Sequence, residues 1–323
     1  MIEKFLTYLA SLRRYSPKTI ENYRMVLEEY FAFQDAGDQG AAAGRQPGDV
    51  TGVEPPSKVN IAYQQIRNYE VFLLDEKGEK AATVNLHLSV LSSYCKFLMK
   101  EGVLKNNPVH LVRRPKQEKR LPLFYRDESM AEYFRNHKGT LEYGEYDAKL
   151  RYIIISILAN TGVRRAELID LNVGSVDFSR KVLHVHGKGD KMREIPLVPS
   201  VCEDIRMYLD AVASLEEAVT GPDAPLLQTK RGGRLYPVLV DKAVKKELGE
   251  VSDITGRKSP HVLRHTLATG LLNDGSDLNS IKELLGHSSL AATQVYTHNS
   301  IERLQSVYNS AHPRARKEDL SSD

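Results

Sequence analysis

The sequence predicts a mainly α-helical protein of two domains. The first is helical throughout; the second is α+β, built on helices with a small antiparallel sheet or hairpin. Three observations lead there. Apolar residues recur at helical spacing through about the first hundred residues. One stretch of the second half alternates apolar with polar residues around a glycine-rich turn. A segment rich in proline and charge separates the halves. A length of 323 residues suits two domains of ordinary size, and a hydrophobic content of 41% is enough for packed cores.

Taken in order, IEKFLTYLASL (2–12) is a first helix. SPKTIENYRMVLEEYFAF (16–33) is a second, with Ser16 as N-cap and Pro17 at the first helical position. DAGDQGAAAGRQPGDVTGVEPPSK, about 35–58, has no periodicity and is rich in Gly, Ala and Pro; its composition predicts a flexible insertion. Two more helices follow, in 60–78 and in 81–102, the latter stopping at Gly102. The first domain therefore spans 1–107, and a basic linker spans 108–122, where Pro108, Pro115 and Pro122 discourage helix. In the second domain, 123–312, helical patterns recur at DESMAEYFRNHK, YDAKLRYIIISILANTG and PSVCEDIRMYLDAVASL. Between the last two, KVLHVH and MREIPL read as strands joined by GKGD, which puts Lys188 at a hairpin turn. After Ser259 the chain is helical again, and the polar tail 313–323 is predicted to be disordered.

Composition narrows the function classes. No apolar run approaches the ~18 residues of a membrane span, and the N-terminus has no long apolar region of a signal peptide. Cys95 and Cys202 lie far apart, without CxxC or Cys/His ligand spacing, which points to a reduced, cytoplasmic compartment. A net charge of +3 says little about partners by itself. Its distribution says more: RRPKQEKRLPLFYR (113–126) carries a single acid, Glu118. The segment reads as a solvated charged loop or as a basic strap across a phosphate backbone.

The chemistry concentrates in SPHVLRHTLATG (259–270). On a helix, residues three or four apart share a face, so His261, Arg264 and His265 fall together. One reading is a metal pair, His261 with His265, which lacks the Glu of H-E-x-x-H and a third ligand. Another is a helix start with surface histidines. The third is a phosphate site, since guanidinium offers a planar fork to phosphate oxygens and imidazole donates or moves a proton. Four further features bear on the choice. TGVRRAELIDL places Arg164 at a helix junction, with Leu168 and Leu171 as core anchors and Arg165 as a surface charge. HGKGDK sets Lys188 between glycines without forming a P-loop. His287 follows a helix stop at Gly286, and Tyr296 lies nine residues beyond His287. Taken singly, a turn lysine is usually solvated and a tyrosine usually packing.

The ordered set, TGxR, GKG, HxLRH, LLGH and then the tyrosine, strongly resembles the tyrosine recombinases of the phage-integrase family, closest to the Xer type. The resemblance covers nearly the whole chain. It implies a SAM-like, core-binding DNA clamp in 1–107 and a catalytic domain in 123–312. By motif, Arg164 and Arg264 match the two catalytic arginines and Lys188 the hairpin lysine. His261 and His287 match the two histidines, and Tyr296 the nucleophile. Arg165 stands where many relatives have a small or apolar residue, and the insertion around Gly40 lengthens the first domain.

The implied activity is cutting and rejoining of double-stranded DNA at a recombination site through a 3′-phosphotyrosine. The family uses no cofactor, metal or ATP in this step. The implied assembly is a homo- or hetero-tetramer on two DNA sites, with or without a second recombinase, and the implied role is chromosome dimer resolution. Inversion and mobile-element integration use the same residues. A type IB topoisomerase resembles the site closely, and a non-catalytic DNA-binding protein would be expected to lack part of the set.

Overall fold

The computed structural model describes residues 1–43, 61–117, 123–187, 191–251, 254 and 256–286; for residues 37–43 and 191 only the backbone is described. The chain divides into two units, Met1–Arg120 and Leu121–Asp323.

In the first unit, α1 (Ile2–Ser11), α2 (Pro17–Ala43), α3 (Tyr63–Val71) and α4 (Ala81–Lys100) enclose an aromatic-rich core that includes Phe5, Tyr30, Tyr69 and Tyr94. Ser16 caps α2 through its hydroxyl, which accepts the Thr19 amide at 3.3 Å. A π-helical turn, Phe72–Glu76, extends α3. The buried Tyr69 hydroxyl and His87 Nδ1 share a hydrogen bond of 2.9 Å, so neither polar group is left unpaired in the core.

Two local features differ from expectation. The second helix runs on to Ala43, past the predicted start of the insertion near residue 35. The run Ala41–Ala42–Ala43 favours helix and no proline intervenes before Pro47. The remainder of the expected insertion, 44–60, lies outside the described residues. The first residues of the expected linker also belong to the first unit's packing. Pro108–Leu111 forms a 3₁₀ turn capped by the Asn107 side chain, and Pro108, Val109 and Val112 are buried. Proline at the first helical position starts this turn rather than preventing it.

The second unit is built around α7 (Tyr146–Thr161). Ile153, Ile154, Ile155, Ile157 and Leu158 are all fully buried. A helix that is apolar on every side must be covered on every side. The cover comes from α9 (Pro199–Ala213), α10 (Pro237–Glu247) and α11 (Pro260–Asn273). Helices α5 (Asp127–Asn136), α6 (Thr140–Tyr143), α8 (Arg165–Asp170) and α12 (Leu278–Leu285) complete the helical part. Helix α10 was not read from the sequence, although Pro237 opens it and Val240, Ala243, Val244 and Glu247 are buried at helical spacing.

The strands β1 (Val176–Asp177), β2 (Val182–Gly187) and β3 (Lys191–Pro196) form an antiparallel sheet in that order. Leu183 pairs with Ile195 and Val185 with Arg193. Since side chains alternate across a strand, these four share one face. All four are buried, so the sheet turns an arginine inward beside three aliphatic side chains. Residues 188–190, where the sequence predicts the hairpin turn, lie outside the described residues.

Candidate functional site

Two helix ends create the site. Helix α7 stops at Gly162, whose φ of +62° is the left-handed cap that glycine adopts readily. A Cβ here would also crowd two leucine side chains, standing 2.7 Å from Leu285 Cδ2 and 3.1 Å from Leu267 Cδ2, so their ends would have to shift. Helix α12 stops at Gly286 with φ +64°. Each stop leaves backbone carbonyls without intrahelical partners at the negative end of a helix dipole.

Guanidiniums take up these carbonyls. Arg264, in the second turn of α11 and 9% exposed, donates from Nη1 to Gly162 O at 2.6 Å and from Nη2 to Leu285 O. Arg164, the N-cap of α8, donates from Nη2 to Gly286 O at 2.9 Å. The two arginines thus meet on neighbouring carbonyls of one helix end, although they lie on different helices. Burial and then the Arg164 charge push the Arg264 guanidinium down to about 10, so it remains cationic at neutral pH.

Glu167 anchors Arg164. Its carboxylate accepts the Arg164 backbone amide at 2.8 Å, the N3 half of a capping box, and Arg164 Nη1 at 2.7 Å. Arg193 adds a bidentate pair to the same carboxylate, with Nη1 at 3.1 Å and Nη2 at 2.7 Å. Among the described residues, three guanidiniums and one carboxylate meet here, an excess of two positive charges; Arg193, Arg264 and Glu167 are buried and Arg164 is partly exposed. A guanidinium has five N–H donors. The bonds to described residues use two from Arg164 and two from Arg264.

Of the six residues singled out in the sequence, three lie among the described residues. Arg164 and Arg264 come together as above. His261 is exposed in the first turn of α11, while Arg264 on the same helix is turned into the interior. Lys188, His287 and Tyr296 lie outside the described residues. In sequence, His287 directly follows the Gly286 cap, and Lys188 stands three residues before β3. His265 is half-buried. Among the described residues, no group of three or more His, Cys, Asp or Glu side chains is arranged to hold a metal. Arg165 pairs with Asp241 of α10.

Sequence reading missed Glu167 and Arg193. Each had a signal. Glu167 is three residues after a helix start, the capping-box spacing. Arg193 occupies an inward position of the strand, in register with Val185.

The Glu167 carboxyl has a stability consequence. Burial by itself would raise it; the hydrogen bonds from Arg193 and the Arg164 amide, with the Arg193 charge, outweigh burial and bring it from 4.5 to about 2. A carboxyl lowered by folding stabilises the protein in full above its unfolded value, and that contribution is lost as pH falls through the folded value. The contribution is on the order of 3 kcal/mol. Urea unfolding between about pH 5 and about pH 2 is expected to show a steeper loss of stability in the wild type than in Glu167→Gln. Equal slopes would mean that the carboxylate is not held as described.

Known proteins resemble this chain in sequence and in fold. The phage integrase family profile matches residues 138–303, and the phage integrase N-terminal SAM-like domain matches residues 2–45. Tyrosine recombinase XerC of Bacillus subtilis is 36% identical over 319 residues, covering 98% of this chain and 97% of that protein. Tyrosine recombinase XerC of Chlorobaculum parvum is 34% identical over 333 residues, covering 97% and 94%. Among solved structures, the XerH recombinase in a post-cleavage complex with palindromic difH substrate has a TM-score of 0.67 at 17% identity, covering 100% of this chain and 84% of that one. The Tn1549 transposon integrase in complex with circular intermediate DNA has a TM-score of 0.64 at 17% identity, covering 94% and 98%. These two likenesses show the fold. The chain belongs to the phage integrase family and is a site-specific tyrosine recombinase.

Proposed function

We propose that Arg164 and Arg264 hold one DNA phosphodiester and that Tyr296 attacks it. The observation that carries this reading is the convergence of the two guanidiniums on the end of α12, from which the chain leads directly to His287 and then to Tyr296. A phosphodiester resists nucleophiles because it is anionic. Two fixed guanidiniums offset that charge and stabilise the pentavalent transition state. His287 adds a donor.

In this reading Tyr296 Oη forms a bond to phosphorus and gives its proton to His261. The bond from phosphorus to the 5′ oxygen breaks, and that oxygen takes a proton from Lys188. A 3′-phosphotyrosine and a free 5′-hydroxyl result, and a second 5′-hydroxyl reverses the step on a new strand. Arginines supply the charge stabilisation, so neither metal nor ATP takes part. The role in this reading is chromosome dimer resolution in the cytoplasm; the relatives named tyrosine recombinase XerC support the Xer type.

Covalent capture tests this. The protein is incubated with fragments of its source genome, denatured, and the attached DNA sequenced, with Tyr296→Phe as control. One Tyr296-dependent site per chromosome supports dimer resolution. Several sites within inverted repeats would replace it with inversion. Attachment that persists in the control would overturn the assignment of the nucleophile.

The proposed assembly is a ring of four protomers on two DNA sites, held by exchange of C-terminal segments. Ile301, Leu304, Val307 and Tyr308 recur at helical spacing. The second unit carries a cavity of about 550 Å³ whose apolar lining includes Met130, Phe134, Leu141, Met207, Leu263 and Leu271. An amphipathic helix suits such a groove. Removal of the residues after Ser300 is expected to abolish synapsis while each protomer still binds its half-site. Unchanged synapsis in a gel-shift assay would refute the exchange.

A further inference from the structure

Arg193 is 5% exposed and is not among the residues that the motifs single out. Its guanidinium touches two elements other than its own. It grips Glu167 of α8 with both Nη atoms, at 3.1 and 2.7 Å. Its Nε donates to Leu284 O at the end of α12, at 3.1 Å. Gly286 lies directly against it: a Cβ on Gly286 would stand 3.1 Å from Nη1 and 3.2 Å from both Cδ and Cζ. Absence of a side chain at Gly286 therefore lets the end of α12 rest on the guanidinium.

This arrangement sets the charge available to a phosphate. Glu167 also binds Arg164 Nη1. With Arg164 as its sole counter-ion, the carboxylate would neutralise the guanidinium that an incoming phosphate needs. A second arginine on the same carboxylate supplies that counter-charge from the protein interior. Its fork geometry matters, because only a planar guanidinium meets both carboxylate oxygens and still presents Nε to a carbonyl.

We propose that Arg193 is a positioning residue for strand cleavage: it occupies the Glu167 carboxylate so that Arg164 keeps its charge for phosphate, and it ties β3 to the end of α12 that both catalytic arginines share. The inference rests on Arg164 and Arg264 being the phosphate site. A role confined to folding would change stability alone; a positioning role changes the rate of adduct formation, and its loss is relieved by removing the carboxylate.

The test uses the full-length protein and the duplex recovered by capture on Tyr296. Single-turnover adduct formation at saturating protein is measured beside DNA affinity and thermal unfolding. Arg193→Met is expected to slow adduct formation by about 100-fold, the scale of a small misplacement of a reacting group, with affinity within about threefold, because most of the affinity comes from backbone contacts elsewhere. Arg193→Met combined with Glu167→Gln is expected to be at least about tenfold faster than Arg193→Met alone, a coupling that neighbouring charges show and independent sites do not. If Arg193→Met unfolds, Arg193→Lys, which keeps a charge and loses the fork, is expected to be about tenfold slower than wild type. A wild-type rate in the single variant that folds, or a double variant no faster than Arg193→Met, overturns the proposal. A wild type that forms no Tyr296-dependent adduct removes the phosphate-site reading itself, and this inference with it.

Discussion

Replacing Tyr296 with Phe is expected to abolish the covalent protein–DNA adduct and to leave DNA affinity within about twofold, since affinity rests on phosphate contacts that this hydroxyl does not supply. The substitution removes one oxygen and keeps the ring. What disappears is the atom proposed to bond to phosphorus. With Arg164 and Arg264 still in place, the phosphate is expected to bind and be polarised, with no nucleophile to receive it. Loss of a nucleophile from an intact site typically costs about 10⁴-fold or more. The check is the denaturant-resistant protein–DNA band, read beside a gel-shift titration. Loss of both together would mean that the variant has failed to fold or to bind.

Replacing Arg264 with Met is expected to separate catalysis from stability. Two carbonyls, Gly162 O and Leu285 O, lose their guanidinium donors, and each buried acceptor left unpaired costs about 1–3 kcal/mol. Against that, the variant removes a buried cation crowded by Arg164 and Arg193, the crowding that, after burial, lowers Arg264 to about 10. Replacement of a buried charge by an apolar side chain of similar length recovers part of the loss. The net change is expected to be about 2 kcal/mol, a fall in Tm of roughly 4–8 °C. Cleavage is expected to fall by about 10³-fold, because the transition state loses a preorganised charged donor that the ground state needs less. Single-turnover cleavage and calorimetry on the same preparation decide it. A rate loss no larger than the stability change explains would make Arg264 a structural arginine.

Much of this protein was legible because its signals are local. Ser16 and Pro17 announce α2, and Gly162 and Gly286 end α7 and α12. Each depends on backbone geometry within a few residues. Helix α10 carries the same kind of signal in Pro237 at its first position. The proline-rich start of the linker misled for the same local reason: Pro108 discourages a helix interior, yet it opens a capped turn that the first unit buries.

By itself the sequence determined the helical first domain, the hairpin in the second, the order of the motifs and the resemblance they carry. The tertiary structure alone decided what each charge touches. Arg264 and Gly162 are 102 residues apart, and Arg193 and Glu167 are 26 apart. A guanidinium leaves no mark in the sequence to say which helix end or which carboxylate it meets. That choice follows from the face β3 turns inward and from where α7 and α12 stop. Those are fixed when long-range packing brings three separate elements to one point, because a buried charge is tolerated only where partners from all of them meet it.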